Sequence, residues 1–179
     1  MRHTFFIFFV FVVASCTPSK EKLQEQITNA ETALFSSDKG NFVFDEKLVQ
    51  TAIDAYQKYA TAFPDDSLTP EYLFKKADLY RSLRNAEQAI VTYNLISEKY
   101  PKYEKTPYCL FLKGFIYENE LNKIEEARKA YQAFLDAYPN HDLADDVAFS
   151  INNLGKTPEQ LIKEFEEQQQ KVLEEVSAN

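Results

Sequence analysis

The chain has 179 residues, of which 45% are hydrophobic, 27% charged and 15% aromatic, a length that suits one domain. With 3 Gly and 7 Pro it is neither collagen-like nor low-complexity, and 2 Cys cannot build a disulfide scaffold. A net charge of −8 argues against the basic footprint that a nucleic-acid binder needs in order to release counterions.

Met1-Arg2-His3 is a short basic start, and residues 4–13 read TFFIFFVFVV. An apolar run of ~7–15 residues behind a basic end is a secretory h-region, too short to span ~30 Å of hydrocarbon as a helix. Five phenylalanines in those ten residues leave no polar face for an ordinary surface helix. The run closes in Val13-Ala14-Ser15-Cys16, which resembles the bacterial lipobox, where small residues precede a cysteine that is acylated and becomes the new N-terminus. An ordinary cleaved signal with a cysteine nearby is the alternative. The lipobox resemblance implies a lipoprotein signal peptide over 1–15, a lipid on Cys16 and a tether over 16–19. A chain starting at Cys16 carries 19 basic and 28 acidic residues, net −9. With Cys16 lipidated, Cys109 has no intramolecular disulfide partner.

From Lys20 to Phe35 the pattern predicts an amphipathic helix with Leu23, Ile27, Ala30 and Leu34 on one face. Ser36-Ser37-Asp38-Lys39-Gly40-Asn41 breaks it, and a second helix is expected from about Asp45 to Phe63. From here a repeat emerges. Ala52…Tyr56, Ala89…Tyr93 and Ala127…Tyr131 share one spacing, and each tyrosine precedes a proline by eight residues (Pro64, Pro101, Pro139). Tyr59, Ile96 and Phe134 stand three residues after those tyrosines, and Phe63, Tyr100 and Tyr138 directly before the prolines. After the prolines, Leu68-Thr69-Pro70 aligns with Lys105-Thr106-Pro107, Phe74 with Phe111, Ala77 with Gly114, and Tyr80 with Tyr117.

Each unit therefore reads as two antiparallel helices joined by a short turn. Small residues (Ala77, Gly114, and Ala52, Ala89, Ala127) let the axes approach, and the tyrosine four residues on fills the wedge. Proline ends each second helix, because the residue before it disfavours α geometry. Thr69 and Thr106 are expected to be N-caps, with Pro70 and Pro107 at N1. The turn around Leu121-Asn122-Lys123 is one residue longer than its counterpart. Beyond Pro139, residues 141–155 align with another first helix, Phe149 matching Phe111 and Phe74, and Gly155 is the expected stop. Thr157-Pro158-Glu159 opens a last helix with Leu161, Ile162, Phe165, Val172, Leu173 and Val176 among many Glu and Gln, a polar-faced cap for a solenoid.

The residues offer little chemistry. His141, the one histidine after the leader, falls in an inter-repeat turn and reads as solvated, with no nucleophile elbow to serve. Metal-type ligands are scattered and the glycines stand alone, so no metal, phosphate loop or other cofactor is expected. Asp65-Asp66, Glu125-Glu126 and Asp145-Asp146 suit helix starts, and Cys109 reads as a small buried hydrophobe.

The A-x₃-Y…P pattern resembles the tetratricopeptide repeat (TPR). The resemblance implies an all-α fold: a TPR α-solenoid of about three helix-hairpin repeats plus N- and C-terminal capping helices. The domain would run over 20–179, with repeats at about 20–64, 65–101 and 102–139 and a cap at 140–179. It departs from the family in its period, 37 and 38 residues between prolines, in having no tryptophan, and in Lys76 and Lys113 where Leu is common.

In TPR arrays the first helices line a groove that takes up an extended or helical segment of a protein partner. Carried onto matching positions, the groove candidates are Glu71, Phe74, Asp78, Arg81 and Ser82, then Tyr108, Phe111, Phe115, Glu118 and Asn119. The recurrence of Phe74, Phe111 and Phe149 suits either core packing or an aromatic groove floor. Tyr108 and Phe115 do not recur and are the better recognition candidates.

The chain resembles the small TPR lipoproteins of Bacteroidota and, more distantly, BamD-type assembly lipoproteins and YbgF-like envelope proteins. That implies a non-enzymatic scaffold, anchored to the periplasmic side of the outer membrane through its lipid, recognising protein in envelope assembly or maintenance. No nucleic acid or small-molecule substrate is expected. The alternative is a glycan-capturing, SusD-like accessory lipoprotein.

Overall fold

The structure, a computed structural model, describes residues 18–35 and 45–177. The leader, Cys16 and the break at 36–41 lie outside the described residues. Among the described residues there are eight helices and no strand: α1 (Lys20–Phe35), α2 (Glu46–Ala62), α3 (Thr69–Ser82), α4 (Ala86–Lys99), α5 (Thr106–Asn119), α6 (Ile124–Ala137), α7 (Ala144–Asn153) and α8 (Pro158–Ser177). From α1 to α7 each helix packs on its neighbours in sequence. The pairs α1–α2, α3–α4 and α5–α6 are the three expected hairpins, and α7 lies on α6 as a cap. The fold is a helical TPR solenoid with capping helices.

The repeat dictates where helices begin and end. Asp45 caps α2 by accepting from the N–H groups of Lys47 (2.9 Å) and Leu48 (3.3 Å). Phe63, Tyr100 and Tyr138, each before a proline, leave helical geometry together, with ψ of 62°, 57° and 55°. Their N–H groups close the helix on Tyr59, Ile96 and Phe134. The turns between hairpins then repeat bond for bond: Asp66, Tyr103 and His141 donate back to Phe63, Tyr100 and Tyr138, and accept from Thr69, Thr106 and Ala144. Asn122, in the longer turn, adopts φ of +51°, a left-handed conformation that asparagine tolerates. Gly155 has φ of +78° just past the end of α7, the stop expected of it.

The N-cap expectation for Thr69 and Thr106 is corrected. Both are buried, and their hydroxyls donate to the carbonyls of Phe63 (2.5 Å) and Tyr100 (2.8 Å) rather than accepting from the helix that follows. The threonines are the first residues of α3 and α5, and they give a second donor to the carbonyls just past α2 and α4, which already accept from the N–H groups of Asp66 and Tyr103.

The core sits between the hairpin layers. The wedge tyrosines Tyr56, Tyr93 and Tyr131, and Tyr59, Ile96 and Phe134 behind them, are all buried. A Cβ on Gly114 would stand 2.3 Å from the Tyr131 ring, so the predicted close approach is a steric requirement. Each wedge hydroxyl finds a carboxylate: Tyr56 donates to Glu31 (2.7 Å), Tyr93 to Asp78 (2.6 Å) and Tyr131 to Glu118 (2.8 Å). A buried phenol without an acceptor carries a desolvation penalty of about 1–3 kcal/mol, so these bonds make the wedges tolerable.

The last helix departs from this order. α8 starts with a capping box, the Thr157 N–H donating to Gln160 Oε1 (2.8 Å) and the Gln160 N–H to Thr157 Oγ1 (3.3 Å). Lys156 pairs with Glu164 at 2.6 Å. None of its described residues is buried, and Ile162, Phe165, Val172 and Leu173 are exposed.

Candidate functional site

The groove candidates fall into two groups, both on the faces of α3 and α5. The first is built around Lys105, which sits at the start of α5 and reaches across to α3. Its ammonium pairs with Glu71 at 2.8 Å and stands 5.2 Å over the Phe74 ring. Tyr103, in the turn before α5, also donates to Glu71. Burial opposes ionisation of Glu71, but the hydrogen bonds from Lys105 and Tyr103 outweigh it and hold the carboxyl below the usual glutamate range. Phe74 is half-buried, edge-on to Tyr93 at 5.7 Å and to Tyr103 at 6.4 Å.

Beside this brace lies a hollow of about 550 Å³ lined by Phe74, Glu104, Lys105, Tyr108 and His141. It joins successive repeats: Phe74 comes from α3, Tyr108 from α5, and His141 from the turn before α7. Tyr108 is 41% exposed and lies edge-on to the His141 ring at 5.4 Å. The reading of His141 as a solvated turn residue is corrected. Its ring also packs edge-on to Phe134 (5.5 Å), and its Nδ1 accepts from the Leu143 N–H (3.1 Å). With Nδ1 an acceptor, the proton of the neutral ring sits on Nε2.

The second group lies further along the same helices. The Arg81 guanidinium is 5.6 Å from the Phe115 ring centre, 3.8 Å from Asp78 and 3.6 Å from Glu120. Phe115 in turn lies 6.5 Å from Phe111, which rests 6.1 Å from Tyr131. Asp78 and Glu118 are the acceptors of the wedge tyrosines, so their carboxylates are partly committed to the frame. Ser82 and Asn119 bond to carbonyls of their own helices and join neither group.

Among the recurring phenylalanines, Phe74 and Phe111 lie against wedge tyrosines and stay half-buried, so each is part core and part surface. Phe149 is different: it is 65% exposed, and the helix that follows, α8, carries no tyrosine to play the wedge. Lys105, Glu104, Tyr103 and His141 were not among the sequence candidates. Their signal was present in the turn alignment, since Tyr103 and His141 occupy the same register two residues after proline and Lys105 precedes the Thr-Pro that opens a helix.

The arrangement presents half-exposed aromatic rings, a lysine, an imidazole N–H and carboxylates side by side, groups suited to binding. Cys109 is buried and its thiol is pushed up to about 12 by desolvation, so it is inert at neutral pH. Among the described residues no group of three or more His, Cys, Asp or Glu is placed to hold a metal ion. Nor is any described helix long and apolar enough to cross a membrane.

No curated protein matches the chain by sequence. The family model of the tetratricopeptide repeat matches residues 71–103 and 108–141, which cover most of α3–α4 and α5–α6 and contain every groove candidate. The two central hairpins are thus tetratricopeptide repeats by sequence as well as by fold, and TPR folds are typically non-catalytic scaffolds for protein–protein interaction.

Proposed function

We propose that the protein is a lipid-anchored, non-enzymatic TPR scaffold that holds an extended or helical segment of a protein partner across α3 and α5, in assembly or maintenance of a bacterial cell envelope. The observation that carries the reading is the hollow between the two matched repeats. Half-exposed aromatics anchored on buried tyrosines are the kind of pre-ordered surface on which a few residues supply most of the binding energy. The anchoring half of the proposal rests on the basic, phenylalanine-rich leader ending at Cys16 and places the domain on the periplasmic side of the outer membrane.

The two halves are tested separately. A photo-crosslinking side chain at Tyr108 should trap a discrete protein partner in cells, and one at Val91, exposed on α4, should not. Tyr108→Ala should weaken capture by about tenfold or more, the loss of ~1–2 kcal/mol typical of a binding anchor, without lowering the melting temperature. Equal trapping at both positions would falsify the groove. For the anchor, labelling with an alkyne fatty acid should mark the wild-type chain and not Cys16→Ser, which should leave the membrane fraction. Unchanged labelling of Cys16→Ser would remove the lipid from the account and leave the groove standing. A glycan array that binds the chain and loses binding in Tyr108→Ala would favour sugar capture instead.

A further inference from the structure

We infer that α8 is a dimerisation helix whose occupant is α8 of a second copy of this chain, wound parallel and in register. The helix has 20 residues, about 30 Å at 1.5 Å per residue, and its described side chains bury nothing. Ile162, Phe165, Gln169 and Val172 follow one another at spacings of three, four and three, the a and d seam of a two-stranded coiled coil. Phe165, Gln168, Gln169, Val172 and Leu173 surround a hollow of about 460 Å³ on this one helix. The first four are a d, g, a, d set, the four residues that form the hole for an a-position side chain of a parallel partner. The side chain entering that hole from a second copy is Gln169 itself. An amide carries both donors and an acceptor, so two facing Gln169 side chains satisfy each other, where an apolar partner would leave this one unpaired.

Charge selects the same arrangement. α8 is acidic, with six Glu against two Lys, so a second copy is acceptable only where carboxylates do not meet. In a parallel pair the g residue of one copy faces the following e residue of the other. That sets Leu161 beside Glu166 and Gln168 beside Leu173, with no carboxylate opposite another. An antiparallel pair sets Gln169 against Phe165 or Val172 of the other copy, which leaves its amide facing an apolar side chain, and the first of these registers also brings Glu166 towards its own copy.

The test uses the full chain with Cys16→Ser, in detergent matched to the solvent density. Sedimentation equilibrium should give a dimer at tens of micromolar, and Val172→Glu should raise its dissociation constant at least tenfold while the helical circular dichroism of the solenoid persists. Under mild oxidation Gln169→Cys should form a disulfide-linked dimer, and Gln170→Cys, at the outward b position, should not. A monomer throughout, or a dimer that survives Val172→Glu, overturns the proposal. So does a dimer in which Gln169→Cys fails to crosslink, which would place the two helices antiparallel or out of register. These outcomes leave the α3–α5 groove untouched.

Discussion

α6 and α8 carry comparable amphipathic patterns, and the protein treats them in opposite ways. On α6, Ala127, Ala130, Tyr131 and Phe134 are all buried, wedged against α5 and covered by α7. On α8, with Ile162, Phe165, Val172 and Leu173 in a similar rhythm, no described residue is buried. The difference lies in what faces each helix. α6 meets Gly114, where no Cβ intervenes, and its own Ala127 allows the same approach. α8 has neither glycine nor alanine along its length. An amphipathic pattern shows that a helix has a face to cover; small residues at the crossing decide how closely a neighbour can approach to cover it.

The largest effects should come from breaking the wedge. Tyr93→Ala removes a fully buried ring and leaves Asp78 without its phenol donor. A loss of ~3–5 kcal/mol is expected, read as a lower midpoint in urea with an unchanged slope. A midpoint equal to wild type would mean that the wedge tyrosine does not hold the layers together.

Gly114→Ala comes next, and its sign is a contest between two effects. Alanine in place of glycine inside a helix gains about 1 kcal/mol of propensity. Against this, the new methyl would stand 2.3 Å from two carbons of the Tyr131 ring, and that ring is held by its bond to Glu118. Overpacking costs ~1–3 kcal/mol, so a net loss of up to about 2 kcal/mol is expected by thermal melting. A stabilised Gly114→Ala would show that the α5–α6 approach has slack.

These two sites show what was legible in the residues and why. The alanine, tyrosine and proline spacings act through local geometry, so they gave the hairpins, their ends and the burial of Tyr56, Tyr93 and Tyr131. Gly155 was equally readable, because a positive φ is a backbone demand. Thr69 and Thr106 were placed at the right helix ends but with the wrong bond, since a hydroxyl can donate or accept and the sequence does not say which partner lies nearer. His141 was set aside because its partners, Tyr108 and Phe134, come from two other helices. Register equates Phe149 with Phe74 and Phe111, but the helix after it carries no wedge tyrosine for the ring to rest on. The repeat gives the groove candidates their places on α3 and α5, but their division into a Lys105 group and an Arg81 group depends on contacts across repeats that no local pattern records.

A smaller effect should separate braces between repeats from packing within them. The carboxyls of Glu31 and Glu71 are opposed by burial but held below their ordinary 4.5, Glu31 by Lys75 and Tyr56 and Glu71 by Lys105 and Tyr103. A carboxyl more acidic in the folded than in the unfolded chain contributes stability that is complete above the unfolded value and is lost as pH falls through the folded one. The melting temperature should therefore decline as pH drops below about 4.5. Glu71→Gln should cost about 1 kcal/mol or less at pH 7, because the pair with Lys105 remains partly solvated. It should also flatten the acid decline. An identical acid profile in Glu71→Gln would mean that other carboxylates govern acid unfolding.

The smallest effect is the one that completes the comparison. Phe165→Ser on α8 and Phe134→Ser on α6 make the same chemical change, at a ring 61% exposed and a ring fully buried. The α6 substitution should cost several kcal/mol, near the ~3–5 of a large-to-small aromatic change, and more if the new hydroxyl finds no partner. The α8 substitution should move the unfolding midpoint of the solenoid by less than ~0.5 kcal/mol, the usual range for surface sites. Both are measured by urea titration below the concentration at which copies associate, so that only contacts within one chain count. If Phe165→Ser proved as damaging as Phe134→Ser, α8 would have to lie against the array in solution, and the contrast between the two helices would vanish.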